Sequence, residues 1–542
     1  MRVACVGGGP GGLFFSLLFK QSNPASEVVV FERNSLQDFF GFGVVFSDAT
    51  LGNLSNTDSR LCQQLDRLGE HWERIEVRLK GERLGCGGNG MAAITRKELL
   101  ALLQQRAMEV GVDLRAHEEV RDLSQLSSVD LIVVCDGVGS RLRSQLSRQL
   151  YPSVEVSSAK YIWFGTTYRF EGLTFIFEPC LDGLFAVHGY PIDSHTGTFI
   201  VETDELSWHR AGLDKFDLSQ APSRSDEVSR VYLEKLFSSQ IDGCKLLTNN
   251  SRWASFRTVS NRSWHWRNVV LLGDAAHSAH FSVGSGTKMA MEDAAALVRA
   301  LDEHPKDLES ALVSYESERR PSVEHIQSSA RPSLAWWENY RTYYDSFEPA
   351  QFAFHFLSRS IGYGRILKRD KAFVDQVISW WARRYGDRDP LCSPLHTGSL
   401  HATSRLVRLG ESSERLRLPG GSELARVSTY SRAPQGPWAL DIDASGSRGD
   451  LAAAMRAVET AGCKPSVAVV SGGDLLERVR ACESIRLIHH LPVLAVEDSC
   501  DLDRARTLLL SGRADLVGLK GQADMAMAEE HGNGAKTGDG CN

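Results

Sequence analysis

At 542 residues with 42% hydrophobic side chains, the chain is long enough for two to four domains with sizeable cores. A formal net charge of -7 and a pI near 6.2 leave no electrostatic footprint for nucleic acid. No apolar run approaches the roughly 18 residues that would suggest a membrane-crossing helix.

The first apolar strand runs directly into Gly7, Gly9 and Gly12, a G-x-G-x-x-G turn, and the next apolar run, 27–32, closes on Glu32. Strand, glycine turn, helix and acid-terminated strand suit a dinucleotide. Gly7 makes the turn, Gly9 lets the backbone reach the pyrophosphate, Gly12 lets helix and strand pack closely, and the helix N-terminus offers N–H groups to the anion. Glu32, about 20 residues beyond the turn, is placed to hold the ribose hydroxyls, with Arg33 beside it. A second match, Gly85 to Gly90, has no βαβ unit or spaced acid behind it and reads as a flexible turn. Because a strand begins at Arg2 or Val3, no signal peptide is expected, and the cytoplasm is the default location. The eleven cysteines, scattered without C-x-x-C pairs, read as reduced thiols and predict no metal site.

Farther along, Thr95-Arg96-Lys97-Glu98-Leu99 opens a helix, and the strand 131–135 ends in Asp136-Gly137, with Ser140 and Arg143 completing D-G-x-x-S-x-x-R. Short aromatic and β-branched runs at 160–169, 173–177, 184–190 and 198–202 predict an antiparallel sheet. The strand 268–272 leads into Gly273-Asp274, a bend at Gly284-Ser285-Gly286, and a helix carrying Glu292-Asp293-Ala294. Residues 331–390 have helical spacing, and their clustered aromatics, among them Trp336, Trp337, Trp380 and Trp381, read as packing. After about 396, strands at 438–443, 466–470, 491–496 and 514–519 alternate with helices at 449–461, 473–483 and 501–511, an α/β pattern. The tail 529–542 is too poor in apolar residues to fold and is expected to be disordered.

The three ordered motifs at Gly7, Asp136 and Gly273 together resemble those of the single-component FAD-dependent aromatic hydroxylases of the para-hydroxybenzoate hydroxylase type. The resemblance covers residues 1–390. It implies an α/β fold: a Rossmann-like FAD domain at 1–330, discontinuous over about 1–70, 91–155 and 262–330. A substrate-binding antiparallel sheet would be inserted at about 156–261, followed by a helical extension at 331–395; beyond it, the strand–helix alternation marks 396–528 as a separate α/β appendage ahead of the tail 529–542. The resemblance also implies that Asp274 accepts hydrogen bonds from the ribityl chain, that Arg96 and Asp136 line the cofactor, and that N–H groups of Gly284, Gly286 and Thr287 face the flavin's pyrimidine edge. NADPH or NADH would dock transiently, O₂ would add to the reduced flavin at C4a, and the resulting hydroperoxide would attack an electron-rich aromatic carbon. His188, His280 and Ser282 are the candidates to orient a small aromatic substrate or take a proton from it.

Gly41-Phe-Gly43-Val-Val45, Lys160 to Thr166 and Gly273 to Lys288 resemble the branch containing the violacein-pathway tryptophan hydroxylase and salicylyl-CoA 5-hydroxylase. Phe281 and Lys288 depart from the general pattern near the flavin's reactive edge. An indole-bearing substrate of natural-product biosynthesis is preferred, since indole carbons need no prior deprotonation. The alternative is a salicylyl- or anthraniloyl-type CoA thioester, for which Arg365, Lys368, Arg369, Lys371, Arg383, Arg384 and Arg388 would supply cationic charge. A non-oxygenating FAD oxidoreductase and an FAD-binding scaffold are the readings of another class. Residues 491–519 resemble the closing strands of an old-yellow-enzyme type FMN barrel, but only about 145 residues remain where a full barrel takes about 250. Gly521 stands where that family keeps a phosphate-binding arginine, so the appendage reads as non-catalytic, serving a partner contact or a homo-oligomer. Every recognised motif precedes Leu395, and a chain ending there is expected to keep flavin and activity.

Overall fold

A computed structural model describes residues 1–47, 52, 57–217, 219–220, 224–410, 414–428, 436–460 and 464–520. Gly521 and the tail 529–542 lie outside the described residues. The chain divides into two compact units, Met1–Glu338 and Asn339–Asn542.

In the first unit, Val269–Leu271, Leu131–Val134, Arg2–Val6, Glu27–Glu32 and Asp113–Ala116 lie side by side and all parallel, with His265–Trp266 added antiparallel at one edge. Their apolar character on both faces reflects burial from both sides, as parallel sheets require. Helix Pro10–Ser22 is buried from Pro10 through Phe19 and packs against helices Arg96–Glu109 and Gly286–Glu303. Because these strands run the same way, their carboxyl ends meet along one edge. Gly7, Glu32, Asp136 and Asp274 all stand on it, where open α/β sheets bind their ligands.

The second sheet has the order Leu246–Leu247, Pro152–Thr166, Gly197–Thr203, Leu184–Pro191, Leu173–Pro179, Ile75–Leu79, Glu82–Cys86, with Ala254–Asn261 also paired to the first half of the long strand. Most pairs are antiparallel, but Leu173–Pro179 runs parallel to Ile75–Leu79. Side chains alternate faces. Ile162, Phe164, Ile176, Phe185, Val187, Phe199 and Val201 enter one apolar core with Leu233 and Phe237. Tyr161, Trp163, Phe175, His188 and Glu202 fall on the opposite face. The stretch read as a flexible turn at Gly85 is partly ordered strand. Gly85 belongs to Glu82–Cys86, and a Cβ there would lie 2.3 Å from the Arg74 guanidinium.

Helix Leu308–Ser346 crosses position 331 without interruption, despite Pro321 and Pro332 inside it. Within the second unit, helices Pro349–Leu357, Tyr363–Arg369 and Lys371–Tyr385 precede a seven-stranded sheet. Its strands Leu406–Leu409, Leu516–Lys520, Val493–Glu497, Val467–Ser471, Trp438–Asp443 and Glu423–Val427 are parallel in that order, with Arg415–Arg417 antiparallel at the end. The helices belong to the same body as the sheet: Tyr343 and His355 bond Glu483, the Tyr363 N–H donates to Thr507, and Arg405 stacks over Tyr385 at 4.4 Å. Arg365, Lys368, Lys371, Arg383, Arg384 and Arg388 are solvent-exposed, and Lys371 is paired with Asp375.

Candidate active site

The glycines at the strand edge fall into two physical kinds. Gly7 has φ +116, and an added Cβ would lie 2.3 Å from the Cys135 carbonyl; a Cβ on Gly12 would lie 2.3 Å from the Gly7 carbonyl. These two are dictated by protein packing. At Gly9, Gly284 and Gly286 an added Cβ would meet nothing within 4 Å. Gly9 and Gly286 also lack a positive φ, so neither backbone strain nor protein crowding explains them. What they leave is room for something to approach the backbone.

The polar groups around that room share one property. Helices Pro10–Ser22 and Gly286–Glu303 both start without a side-chain cap, leaving first-turn N–H groups for an anion or a polar ring edge. Among the described residues, Asp136 Oδ1 and Ser285 Oγ are buried with no hydrogen-bond partner. Glu32 is held in place: Oε2 accepts from the Gly8 N–H at 2.9 Å and Oε1 from the Asn34 N–H at 2.9 Å. Arg143 ties the two turns together, donating to the Ala275 and Val138 carbonyls at 3.0 and 2.7 Å. The Arg33 side chain lies exposed, within electrostatic reach of Glu119. Thr287, half-buried, sits in the first turn of its helix.

Asp274 is accessible to solvent by surface area yet surrounded by protein, the signature of a group lining a concave wall. Burial raises its carboxyl above the ordinary range, opposed by the charges of Arg96 and His277. Burial likewise lowers the Arg96 guanidinium, opposed by Asp274 and Tyr190, so Arg96 and Asp274 lie within electrostatic reach of each other. Beneath them lies a cluster that sequence reasoning left unassigned. Asp293 is fully buried; Oδ2 meets His277 Nε2 at 2.7 Å and the Gly273 N–H at 3.2 Å, and Oδ1 accepts from Arg319 Nε at 2.8 Å. Burial pushes Asp293 up, but His277 and Arg319 outweigh it and hold it below the ordinary range. Its signal was present as Glu292-Asp293, but the partner Arg319 comes from another helix.

On the sheet face away from its apolar core, His188 and His280 converge on one carboxylate, Glu202, which ends the apolar run 198–202. His280 Nε2 lies 3.4 Å and His188 Nε2 3.7 Å from Glu202 Oε1. His280 Nδ1 is 2.7 Å from Ser282 Oγ, which is 2.7 Å from Ser333 Oγ. Aromatic rings surround the group: Trp337 at 4.2 Å and Phe175 at 5.0 Å from His188, and Phe281 at 4.3 Å and Phe256 at 4.9 Å from His280. Phe281 also contacts Tyr161 and Trp163. Trp337 stacks on Phe177 at 6.0 Å.

The chemistry of this donor set suits FAD: free helix-terminal N–H groups, two glycines with open space before them, an orphaned buried carboxylate oxygen and a second carboxylate facing an arginine. Among the described residues no group of three or more His, Cys, Asp or Glu is placed to hold a metal, and no helix is long and apolar enough to cross a membrane. Residues 1–330 match the family described as FAD binding domain. The chain is 52% identical to a salicyloyl-CoA 5-hydroxylase from Streptomyces sp over 96% of its own length and 99% of that protein. It is 34% identical to a 3-hydroxy-4-methyl-anthranilyl-[aryl-carrier protein] 5-monooxygenase from Streptosporangium sibiricum, over 62% of this chain and 89% of that one. Over the same shares it is 30% identical to a protodeoxyviolaceinate monooxygenase from Chromobacterium violaceum. The chain therefore belongs to the FAD binding domain family and is an FAD-dependent aromatic monooxygenase that draws on NAD(P)H and O₂.

Proposed function

We propose that the substrate is an aryl thioester of coenzyme A of the salicyloyl kind, in place of the indole preferred on sequence grounds. The observation that carries this reading is the likeness to the salicyloyl-CoA 5-hydroxylase over 96% of the chain, which takes in the second unit as well as the first. The preference for indole rested on the lack of a base beyond two histidines. Glu202 supplies the carboxylate that makes one of them an effective proton acceptor, and a phenolic ring needs that acceptor where an indole does not.

In this reading Gly7, Gly9, Gly12, Glu32 and Arg33 hold the adenosine diphosphate part of FAD. Arg96, Asp136 and Asp274 hold the ribityl and pyrophosphate, and Gly284, Gly286 and Thr287 face the pyrimidine edge. FAD, when bound, supplies the oxygen-activating chemistry. The protein places the ring among Phe281, Phe256 and Tyr161, excludes water, and manages the substrate proton through Ser282 and His280, with His188 beside them. We assign the sheet around 156–261 to substrate binding and residues 396–528 to an accessory, non-catalytic role.

The test is incubation of the full-length holoenzyme with NAD(P)H and isotopically labelled oxygen, against a panel of aryl-CoA thioesters and a panel of indoles. The expected result is accelerated flavin reduction and a product carrying one labelled oxygen from a thioester. Labelled product from an indole, with none from any thioester, overturns the reading.

A further inference from the structure

Glu202 is an unusual residue for its strand. Gly197–Thr203 is buried along its whole length, and Phe199 and Val201 feed the apolar core. Register explains what the carboxylate meets: Tyr161 and Ala186 lie opposite it, and His188, two positions beyond Ala186, is its diagonal neighbour on the same face. A carboxylate in such surroundings requires compensating partners, and two imidazoles face it, one from the neighbouring strand and one from the turn before Gly284.

The hydrogen-bond pattern assigns the state of the His280 ring. Nδ1 accepts from the Ser282 backbone N–H at 3.4 Å, the arrangement of a helix N-cap, so it carries a lone pair. The ring proton therefore sits on Nε2, toward Glu202. Nδ1 is then an acceptor for the Ser282 hydroxyl, 2.7 Å away. Ser282 is half-buried, whereas His280 and Glu202 are buried, so the chain of groups has one accessible end, two residues before the Gly284 bend.

Resting on the thioester reading above, we infer that Glu202 is a positioning residue for a Glu202–His280–Ser282 proton relay that ionises the ring hydroxyl of the substrate. The substrate O–H proton passes to Ser282 Oγ as the serine's own proton passes to His280 Nδ1. The phenolate forms, the serine is regenerated, and the imidazolium is balanced by the Glu202 carboxylate. The negative charge left on the ring oxygen enriches the carbon para to it, the position an electrophilic oxygen attacks. Burial alone would raise the Glu202 carboxyl; His188 and His280 outweigh it and hold it below the ordinary carboxylate range. Tyr161 also faces it; burial raises its phenol, with Glu202 and Asp274 adding to the shift and Arg257 opposing it.

The test compares wild type, Glu202→Gln and Ser282→Ala as full-length holoenzymes with the 2-hydroxybenzoyl and 2-aminobenzoyl thioesters of coenzyme A. The amine gives an electron-rich ring through its nitrogen lone pair, with no hydroxyl to ionise. One readout needs no turnover: the ionisation of the bound hydroxybenzoyl ring is titrated by difference absorbance on oxidised enzyme. The other is the fraction of NAD(P)H consumed that appears as hydroxylated product. Both variants are expected to raise the apparent pKa of the bound phenol by about one unit or more. Product from the hydroxy substrate should fall roughly tenfold or more through kcat rather than KM, and far less from the amino substrate. Ser282→Ala leaves the buried carboxylate untouched, and flavin content reports folding for both. An unchanged phenol titration in both variants, or equal losses on the two substrates, overturns the relay. A wild-type enzyme that hydroxylates neither thioester overturns the thioester reading and the relay with it.

Discussion

The two units each end a parallel sheet on glycine turns and acidic residues, yet they treat that edge in opposite ways. In the first, Gly9 and Gly286 open onto space and Asp136 keeps an oxygen without a protein partner. In the second, the protein fills its own edge. A Cβ on Gly472 would lie 2.1 Å from Asp443 and one on Gly473 2.7 Å from Glu477, while Arg478 donates to the Gly472 and Gly473 carbonyls. Glu497, buried at the end of its strand, is taken up by Arg504 at 3.2 Å and Arg478 at 3.7 Å. Glu483 is likewise saturated by Tyr343, His355 and Arg513. A parallel sheet edge is thus a binding site only where backbone donors and space are left over; elsewhere the same elements hold the fold together.

The harshest challenge to this contrast is a chain ending at Leu395. It would remove Glu483, Arg513 and Thr507 from helices that depend on them, so the expected outcome is insoluble protein, contrary to the expectation from motif positions alone. Recovery of soluble protein with full flavin would break the assignment of residues 339–395 to the second body. Next in size, Asp293→Ala leaves Arg319 and His277 buried without their carboxylate. A loss of about 3–5 kcal/mol is expected by denaturant unfolding, together with loss of flavin. Glu483→Ala should destabilise the second unit with flavin occupancy unchanged, so flavin loss there would blur the two roles.

Gly12→Ala and Gly9→Ala separate packing from ligand space. The first forces a Cβ onto the Gly7 carbonyl and should lower apo-protein stability by about 1–3 kcal/mol. The second should leave apo stability within about 1 kcal/mol while weakening FAD binding about tenfold, as read by flavin titration. The smallest expected effect is a pH slope. Burial and the charge of Arg513 lower His355 from 6.5 to about 4, against the pull of Glu483. The folded second unit therefore binds fewer protons than the unfolded chain between those values. Its stability is full above about pH 6.5 and declines as the pH falls toward 4, by about 1–2 kcal/mol near pH 5. Thermal melts of His355→Gln should lack that part of the slope.

Much of the fold was legible because its signals are local. The strand expected at 438–443 is Trp438–Asp443, the helix expected at 473–483 is Leu475–Glu483, and protein crowds Gly7 and Gly12 while leaving Gly9 open. Glu202 was not legible. Its meaning depends on which residues a sheet register sets beside it, and those come from strands 161 and 188 and a turn at 280. Asp293 was hidden for the same reason, since Arg319 is supplied by the next helix. Pro321 and Pro332 argue locally for helix ends, but the helix continues through both.

That same helix, Leu308–Ser346, carries Ser333 and Trp337 into contact with Ser282 and His188, and, farther along, Tyr343 to Glu483. One uninterrupted secondary element thus contributes to both functional and architectural clusters, which sets where the protein can be recombined. A chimaera that exchanges the second unit with a relative's must place its seam before Leu308 or after Ser346, because a joint at the domain boundary itself would splice two helical surfaces selected against different neighbours.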